Sequence, residues 1–295
     1  MKRLISNHII SLTIVAAATF GLVSCIDSIE PSEVLTSDQV KKISSSQEGL
    51  INGILSYMIT FDSWGSGDPL NDWGYPCQMF YREVLGSDIP VYSSNYSYWT
   101  TVESGVNTRF KAYYTYRFYY DFIATCNNVT SVVDPATASP TSKNYLGIAL
   151  TYRAMAYLDI ARQFEFKKTG IASLDDKASK DGIWGLTVPI VTEKTTKEMQ
   201  RHNPRAPFYK MYRFILTDLN HAEEYLANYA RPDKNLPDLS VVYGLKARAY
   251  LEKQDWANAE KYAKLAQQGY TMMSEAQYLS RDNGFNIPIS SWMFA

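Results

Sequence analysis

The residues best suited to chemistry in this 295-residue chain are rings and amides rather than nucleophiles. Between Tyr57 and Trp99 there are 43 residues, and at the chain-wide aromatic content of 14% about 6 rings are expected. The segment holds 11: Tyr57, Phe61, Trp64, Trp73, Tyr75, Phe80, Tyr81, Tyr92, Tyr96, Tyr98 and Trp99. In the run VYSSNYSYW the rings alternate with small polar residues. A flat aromatic face can stack on a sugar ring while Asn and Ser exchange hydrogen bonds with its hydroxyls. Trp73, Tyr92, Asn95, Tyr96, Tyr98 and Trp99 are therefore the candidate ligand-binding residues, although any one ring could instead pack its loop down.

Catalytic signals are sparse. Beyond residue 24 the histidines are His202 and His221, neither in an HExxH arrangement, and no nucleophile elbow or phosphate-binding glycine loop occurs. Asp62, Asp68 and Asp72 lie in a Gly-rich stretch, but their spacing does not fit a calcium loop. Carboxylate pairs for glycoside hydrolysis are defined by distance in space, so sequence does not exclude them. No catalytic or metal-binding residue is singled out, and no cofactor is implied.

Cys25 offers a different chemistry. Lys2 and Arg3 precede an apolar run, Ile9 to Val23, of only 15 residues, short of the roughly 20 that cross a bilayer. This pattern is that of a secretory signal. Its exit, Leu22-Val23-Ser24-Cys25, resembles the bacterial lipobox. That resemblance implies a thioether-linked diacylglycerol on Cys25, cleavage before it, and acylation of the new amino terminus. Each buried acyl methylene contributes about 0.8 kcal/mol, so several chains anchor a protein almost permanently. Residues 1–24 are then the signal peptide and 25–35 a lipidated tether.

Removing Lys2 and Arg3 leaves 27 basic against 30 acidic residues, a net charge of -3. With no basic run, nucleic acid is not an expected partner. Hydrophobic content of 46% is ample for a core. Outside the cytoplasm Cys77 and Cys126 could pair, but Cys126 sits in a strongly apolar helical segment and reads as a buried thiol.

These groups need a scaffold, and the periodicity is helical. Thr36 and Gln39 have capping-box spacing ahead of a helix running to about Thr60. Gly65, Gly67, Pro69, Gly74, Pro76, Gly86 and Pro90 then predict long ordered loops from Phe61 to Thr101. A ring-rich helix follows, with Phe110, Tyr113, Tyr114, Arg117, Phe118, Asp121 and Phe122 recurring at three and four, and PATASP ends it. Leu146, Leu150, Ala154, Tyr157, Leu158 and Ala161 form one face of the next helix. Residues 166–206 read as an irregular insertion. Pro207, suited to a first helical turn, opens a stripe of Phe208, Met211, Tyr212, Ile215, Leu219, Ala222 and Leu226.

The last helical pair, joined by KQDW with Asp255 as cap, looks like a tetratricopeptide repeat. Ala247, Tyr250, Ala259 and Ala266 fall on its small, aromatic, small and small positions. Ala154 and Tyr157 with Ala222 and Leu226 suggest an earlier copy that the insertion interrupts. The repeats would span about 145–269.

The ordered series carries a further resemblance. The lipobox, EGLINGILSY, Ser87-Asp88, YRFYYDFIATCNNV ending at Asn127, YRAMAYLDIARQF, TVPIV (Thr187 to Val191), MYRFILTDLNHAEEYL and KARAYLEKQDWANAEKYAKLA together resemble the SusD/RagB family. These are lipid-anchored nutrient-binding proteins of Bacteroidota outer membranes, and the resemblance covers nearly the whole chain. It implies a mainly α fold, a tetratricopeptide-like helical repeat scaffold with long irregular loops, over residues 36–295. Family members usually continue well beyond IPISSWMFA, so a chain cut short at its C-terminus is implied. Asp27, Glu30 and Glu33 match the surface-export signal only loosely.

The implied function is a non-catalytic outer-membrane lipoprotein, exposed at the cell surface, that binds an oligosaccharide or peptide. It would deliver that ligand to a SusC-like TonB-dependent transporter, with the repeats facing the transporter and loops elsewhere forming the ligand surface. The alternatives are an outer-membrane scaffold that binds only protein, and a lipid-anchored hydrolase.

Overall fold

Helix formation here centres on one segment with no polar face. In the computed structural model the described residues are 44–59, 74–85, 108–282 and 288–295, all within one unit, Val40–Ala295. The helices are α1 (Ser44–Met58), α2 (Gly74–Leu85), α3 (Thr108–Val132), α4 (Pro140–Phe164), α5 (Ala172–Lys180), α6 (Lys197–Arg201), α7 (Phe208–Tyr225), α8 (Leu239–Glu252), α9 (Trp256–Ala266) and α10 (Glu275–Tyr278). Among the described residues there is no strand, only isolated bridges pairing Phe166 with Trp184 and Leu186 with Pro207. The fold is mainly α. The expected signal peptide, tether and Thr36–Gln39 capping box lie outside the described residues.

Every residue of α4 from Leu146 to Ala161 is buried, Arg153 and Asp159 included. A helix apolar all round must be enclosed by others, and α4 packs against α1, α3, α7 and α8. It begins earlier than the periodicity suggests. Ser139 caps it by accepting a hydrogen bond from the Ser142 N–H, and Pro140 occupies the first turn, where its missing N–H costs nothing.

α7 runs antiparallel to α4, since Arg153 meets Asp218, Tyr157 meets Phe214, and Gly147 lies against Leu226. A Cβ on Gly147 would stand 2.8 Å from Leu226 Cγ, so only glycine permits this approach. The expected α7 stripe faces the core, with Met211, Tyr212, Ile215, Leu219, Ala222 and Leu226 buried. Pro207 proves to be the N-cap rather than the first helical residue. The α8–α9 hairpin is capped by Asp238 and Asp255 and stacks Tyr250 on Tyr262 at 5.5 Å and 4°. Ala259 and Ala266 are buried as expected, whereas Ala249 takes the buried place expected of the half-buried Ala247. Two helical hairpins, the first interrupted, thus form a tetratricopeptide-like scaffold.

Three expectations need correction. The span 61–101, expected to be loop throughout, contains α2. Gly74 heads it at φ +54°, where a Cβ would collide with Met58 O, and Pro76 sits in the first turn. Both residues read as breaks, yet both also start helices. On α3 the buried line is Thr115, Tyr119, Phe122, Ile123, Cys126 and Val129, while Tyr113 and Asp121 are exposed. The aliphatic half of the helix sets that phase, and the neighbouring tyrosines pack sideways. The insertion is irregular but contains α5 and α6.

The insertion is also pinned down. Tyr120 Oη donates to Pro189 O, Asn127 Nδ2 to Val191 O, and Tyr157 Oη both donates to and accepts from the Val191 backbone. At its base Arg205 donates to the carbonyl oxygens of Phe164, Leu186 and Thr187 at 2.6–2.7 Å. Cys77 and Cys126 are both buried and not bonded to each other.

Candidate functional site

Cys25 and the candidate ligand residues Trp73, Tyr92, Asn95, Tyr96, Tyr98 and Trp99 lie outside the described residues. The structure instead places the groups that hold the neighbouring chain. Trp73 directly precedes α2, and the other five lie between α2 and α3.

α2 is held through one carboxylate. Asp159, on the buried helix α4, is 0% exposed. Its Oδ2 accepts a 2.7 Å hydrogen bond from Tyr75 Oη, and its Oδ1 accepts from Arg248 Nη2 at 2.7 Å and meets Arg82 Nη1 at 3.2 Å. Tyr75 and Arg82 come from α2, and Arg248 from α8. Burial, and then the charge of Asp159, push the Tyr75 phenol above its ordinary range, so it stays a donor. For Arg82, burial opposes the charge and Asp159 overrides it, so the guanidinium remains protonated. A buried carboxylate is tolerable only with such partners. Asp159 thereby joins the helix bordering the aromatic segment to the last repeat.

A second buried cluster joins the insertion to the first repeat. Arg153, 5% exposed, grips Asp218 of α7 with two bonds, Nε to Oδ2 at 2.8 Å and Nη2 to Oδ1 at 2.9 Å. Its Nη1 donates to Asn127 Oδ1 at 2.8 Å and to Glu193 Oε2 at 2.9 Å. The guanidinium also lies 5.3 Å from the Phe214 ring centroid. Burial raises the Asp218 carboxyl above its usual range despite the pairing. For Glu193, burial acts upward too, but its own backbone N–H, Arg153 and Thr130 outweigh it and hold the carboxyl low.

Sequence reasoning missed both clusters. The available signal was a lone Arg and a lone Asp inside the apolar run from Leu146 to Ala161, since a charge rarely stays buried without a partner. His202 and His221 are exposed. Among the described residues no helix is long and apolar enough to cross a membrane.

Comparison with known proteins identifies the scaffold. Residues 77–251 match the SusD-like family described as "Starch-binding associating with outer membrane". That span runs from within α2 into α8 and contains the Arg153 cluster whole and the Asp159 cluster apart from Tyr75. Among solved structures, a SusD-like carbohydrate binding protein from Bacteroides vulgatus aligns with a TM-score of 0.64 at 24% identity, covering 85% of this chain and 50% of that one. A SusD-like protein from Bacteroides fragilis gives 0.59 at 18% identity, covering 89% and 46%. A laminarin binding SusD-like protein gives 0.53 at 13% identity, covering 80% and 47%. This chain therefore spans about half the length of the structures it resembles. Comparison with curated proteins gave no match. The structural likenesses establish the fold, and the match over more than half the sequence establishes the kinship: this chain belongs to the SusD-like (SusD/RagB) family of outer-membrane-associated, carbohydrate-binding proteins.

Proposed function

We propose that this chain is a non-catalytic lipoprotein that binds a glycan at the outer membrane and delivers it to a SusC-like TonB-dependent transporter. Residues 1–24 serve as signal peptide, 25–35 as tether and Cys25 as lipid anchor. Trp73, Tyr92, Asn95, Tyr96, Tyr98 and Trp99 stack on and hydrogen-bond the sugar rings. The observation that carries this reading is the Asp159 cluster. It fixes α2, the helix between Trp73 and the other five residues, onto the scaffold core. Aromatic platforms bind best when their support is rigid, because less freedom is lost on binding. Family membership and the laminarin binding neighbour support a glycan as the ligand.

The test is calorimetric titration of the full chain with starch- and laminarin-derived oligosaccharides. Trp99→Ala should weaken binding several-fold to about tenfold while helical circular dichroism and melting stay unchanged. Unaltered affinity, or unfolding of the variant, would move the site away from Trp99. Cys25→Ala should release the protein from the membrane, and continued incorporation of labelled fatty acid would refute the anchor. Copurification of a TonB-dependent transporter with the membrane-bound chain tests delivery, and its failure under mild detergent counts against that role.

A further inference from the structure

The groove between the end of α3 and α7, floored by α4, plays no part in the reading above. It is a cleft of about 800 Å³, within the range usual for small-molecule sites. Leu146, Leu150 and Arg153 follow one another along its floor at intervals of four and three residues, about 10 Å of helix.

The walls are chemically mixed. Lys194 and Arg153 stand with Asp134, Glu193 and Asp218 around the cleft, and Arg153 is already paired to Glu193 and Asp218. The charges nearly cancel, so nothing here draws in a strongly ionic ligand. A purely apolar ligand would leave these polar groups stranded. On the α7 wall His221 and Tyr225, one turn apart, hold their rings nearly parallel, with centroids 6.1 Å apart and planes at 20°. His221 is exposed and Tyr225 half-exposed.

Hydrogen-bonding capacity remains on both sides. Ser131 donates to the Asn128 carbonyl oxygen of its own helix, which leaves its oxygen lone pairs as acceptors, while the single Thr130 hydroxyl proton lies within reach of both Asn127 O and Glu193 Oε2. Glu193 receives Arg153 and Thr130 on Oε2, leaving Oε1 as a further acceptor. The exposed Lys194 ammonium and the His221 imidazole add donors. Rings, matched donors and acceptors, and little net charge describe a site for a hydroxylated ring compound.

We propose that this cleft is a second carbohydrate site, taking an uncharged oligosaccharide about two hexose rings long. The sugar lies along α4, with one ring against the His221–Tyr225 pair. The described residues that line this site all fall between Thr130 and Tyr225.

Hydroxyl-radical footprinting of the full chain, read by mass spectrometry, tests the proposal with maltotriose and laminaritriose in separate arms at millimolar concentration. In at least one arm, oxidation of His221 and Tyr225 should fall several-fold. The double variant Lys194→Ala/His221→Ala should weaken the protection of Tyr225 in a titration, with circular dichroism unchanged because both side chains are exposed. If that variant misfolds, Thr217→Arg, which fills the cleft from an exposed position on α7, should abolish protection instead. Absence of protection in both arms overturns the proposal, as does a variant that titrates like the parent. Protection confined to residues 92–99 overturns this site while sparing the proposed function. Protection of His221 and Tyr225 alone supports this site and counts against Trp99.

Discussion

The two helical hairpins solve one problem differently. α8 and α9 are joined by a three-residue turn, Lys253–Asp255, and Asp255 caps the second helix. With the turn setting register, the contact is made by small Ala259 and Ala266 and the Tyr250–Tyr262 stack, and its buried Lys246 is paired outside the hairpin, to Glu223 of α7. α4 and α7 are separated by the whole insertion, so no turn can align them. There a bidentate ion pair, Arg153 with Asp218, lies deep in the contact. Buried ion pairs seldom add net stability over apolar packing, and a better-attested use is to specify register. The difference teaches that a local turn and a buried charge pair can do the same job at different sequence separations.

The comparison breaks most readily at Arg153. Arg153→Met should cost about 3–5 kcal/mol in denaturant unfolding, because Asp218 is left buried and unpaired. Above its folded pKa that carboxylate opposes folding. The folded value lies above the unfolded one, so the loss should shrink as pH is lowered through it. Arg153→Met/Asp218→Leu should recover most of the stability, and a double variant as weak as the single would show that the pair stabilises rather than aligns.

Asp159→Ala should cost less, about 2–3 kcal/mol, because Arg82 and Arg248 are 26% and 38% exposed and can turn to water. Its clearer signature is faster amide exchange in residues 74–85. Unchanged exchange there would mean that α2 is held by packing alone.

Ala259→Leu probes the other hairpin. Overpacking the α8–α9 contact should cost about 1–3 kcal/mol, and an unchanged melting temperature would mean the contact is loose. The smallest effect is expected from Asp255→Ala. Hydrogen bonds from the Asn258 side chain and backbone hold the Asp255 carboxyl below its usual range. The cap's contribution is therefore present above the ordinary Asp pKa and lost as pH falls through the folded value. The variant should melt slightly earlier than the parent at neutral pH and alongside it in acid.

What was legible follows the same division. The α7 stripe, the Asp255 cap and the paired last helices are written in residues one to four apart, and the structure has them. α2 was not legible because Gly74 and Pro76 carry two meanings, turn and helix start, that only the contact with Met58 separates. The phase of α3 is ambiguous where tyrosines occupy every side. The Asp159 cluster was invisible in a linear reading because Tyr75 and Arg248 lie 84 and 89 residues from it. The order of the motifs nevertheless pointed to the SusD/RagB family, since order survives where individual contacts cannot be read.

Arg205 has a consequence for how this architecture can vary. By binding the carbonyl oxygens of Phe164, Leu186 and Thr187 together, it draws the two ends of the insertion to a common neck. The stretch between Phe164 and Leu186 thereby becomes a closed loop of its own, with Gly170 exposed on it. Each doubling of such a loop adds only about 0.6 kcal/mol of closure entropy, so additional sequence at the exposed turn around Gly170 is tolerated while the repeats keep their alignment. The turn around Gly170 is thus a grafting port, where a reporter peptide or a new recognition loop can be carried without re-engineering the bundle.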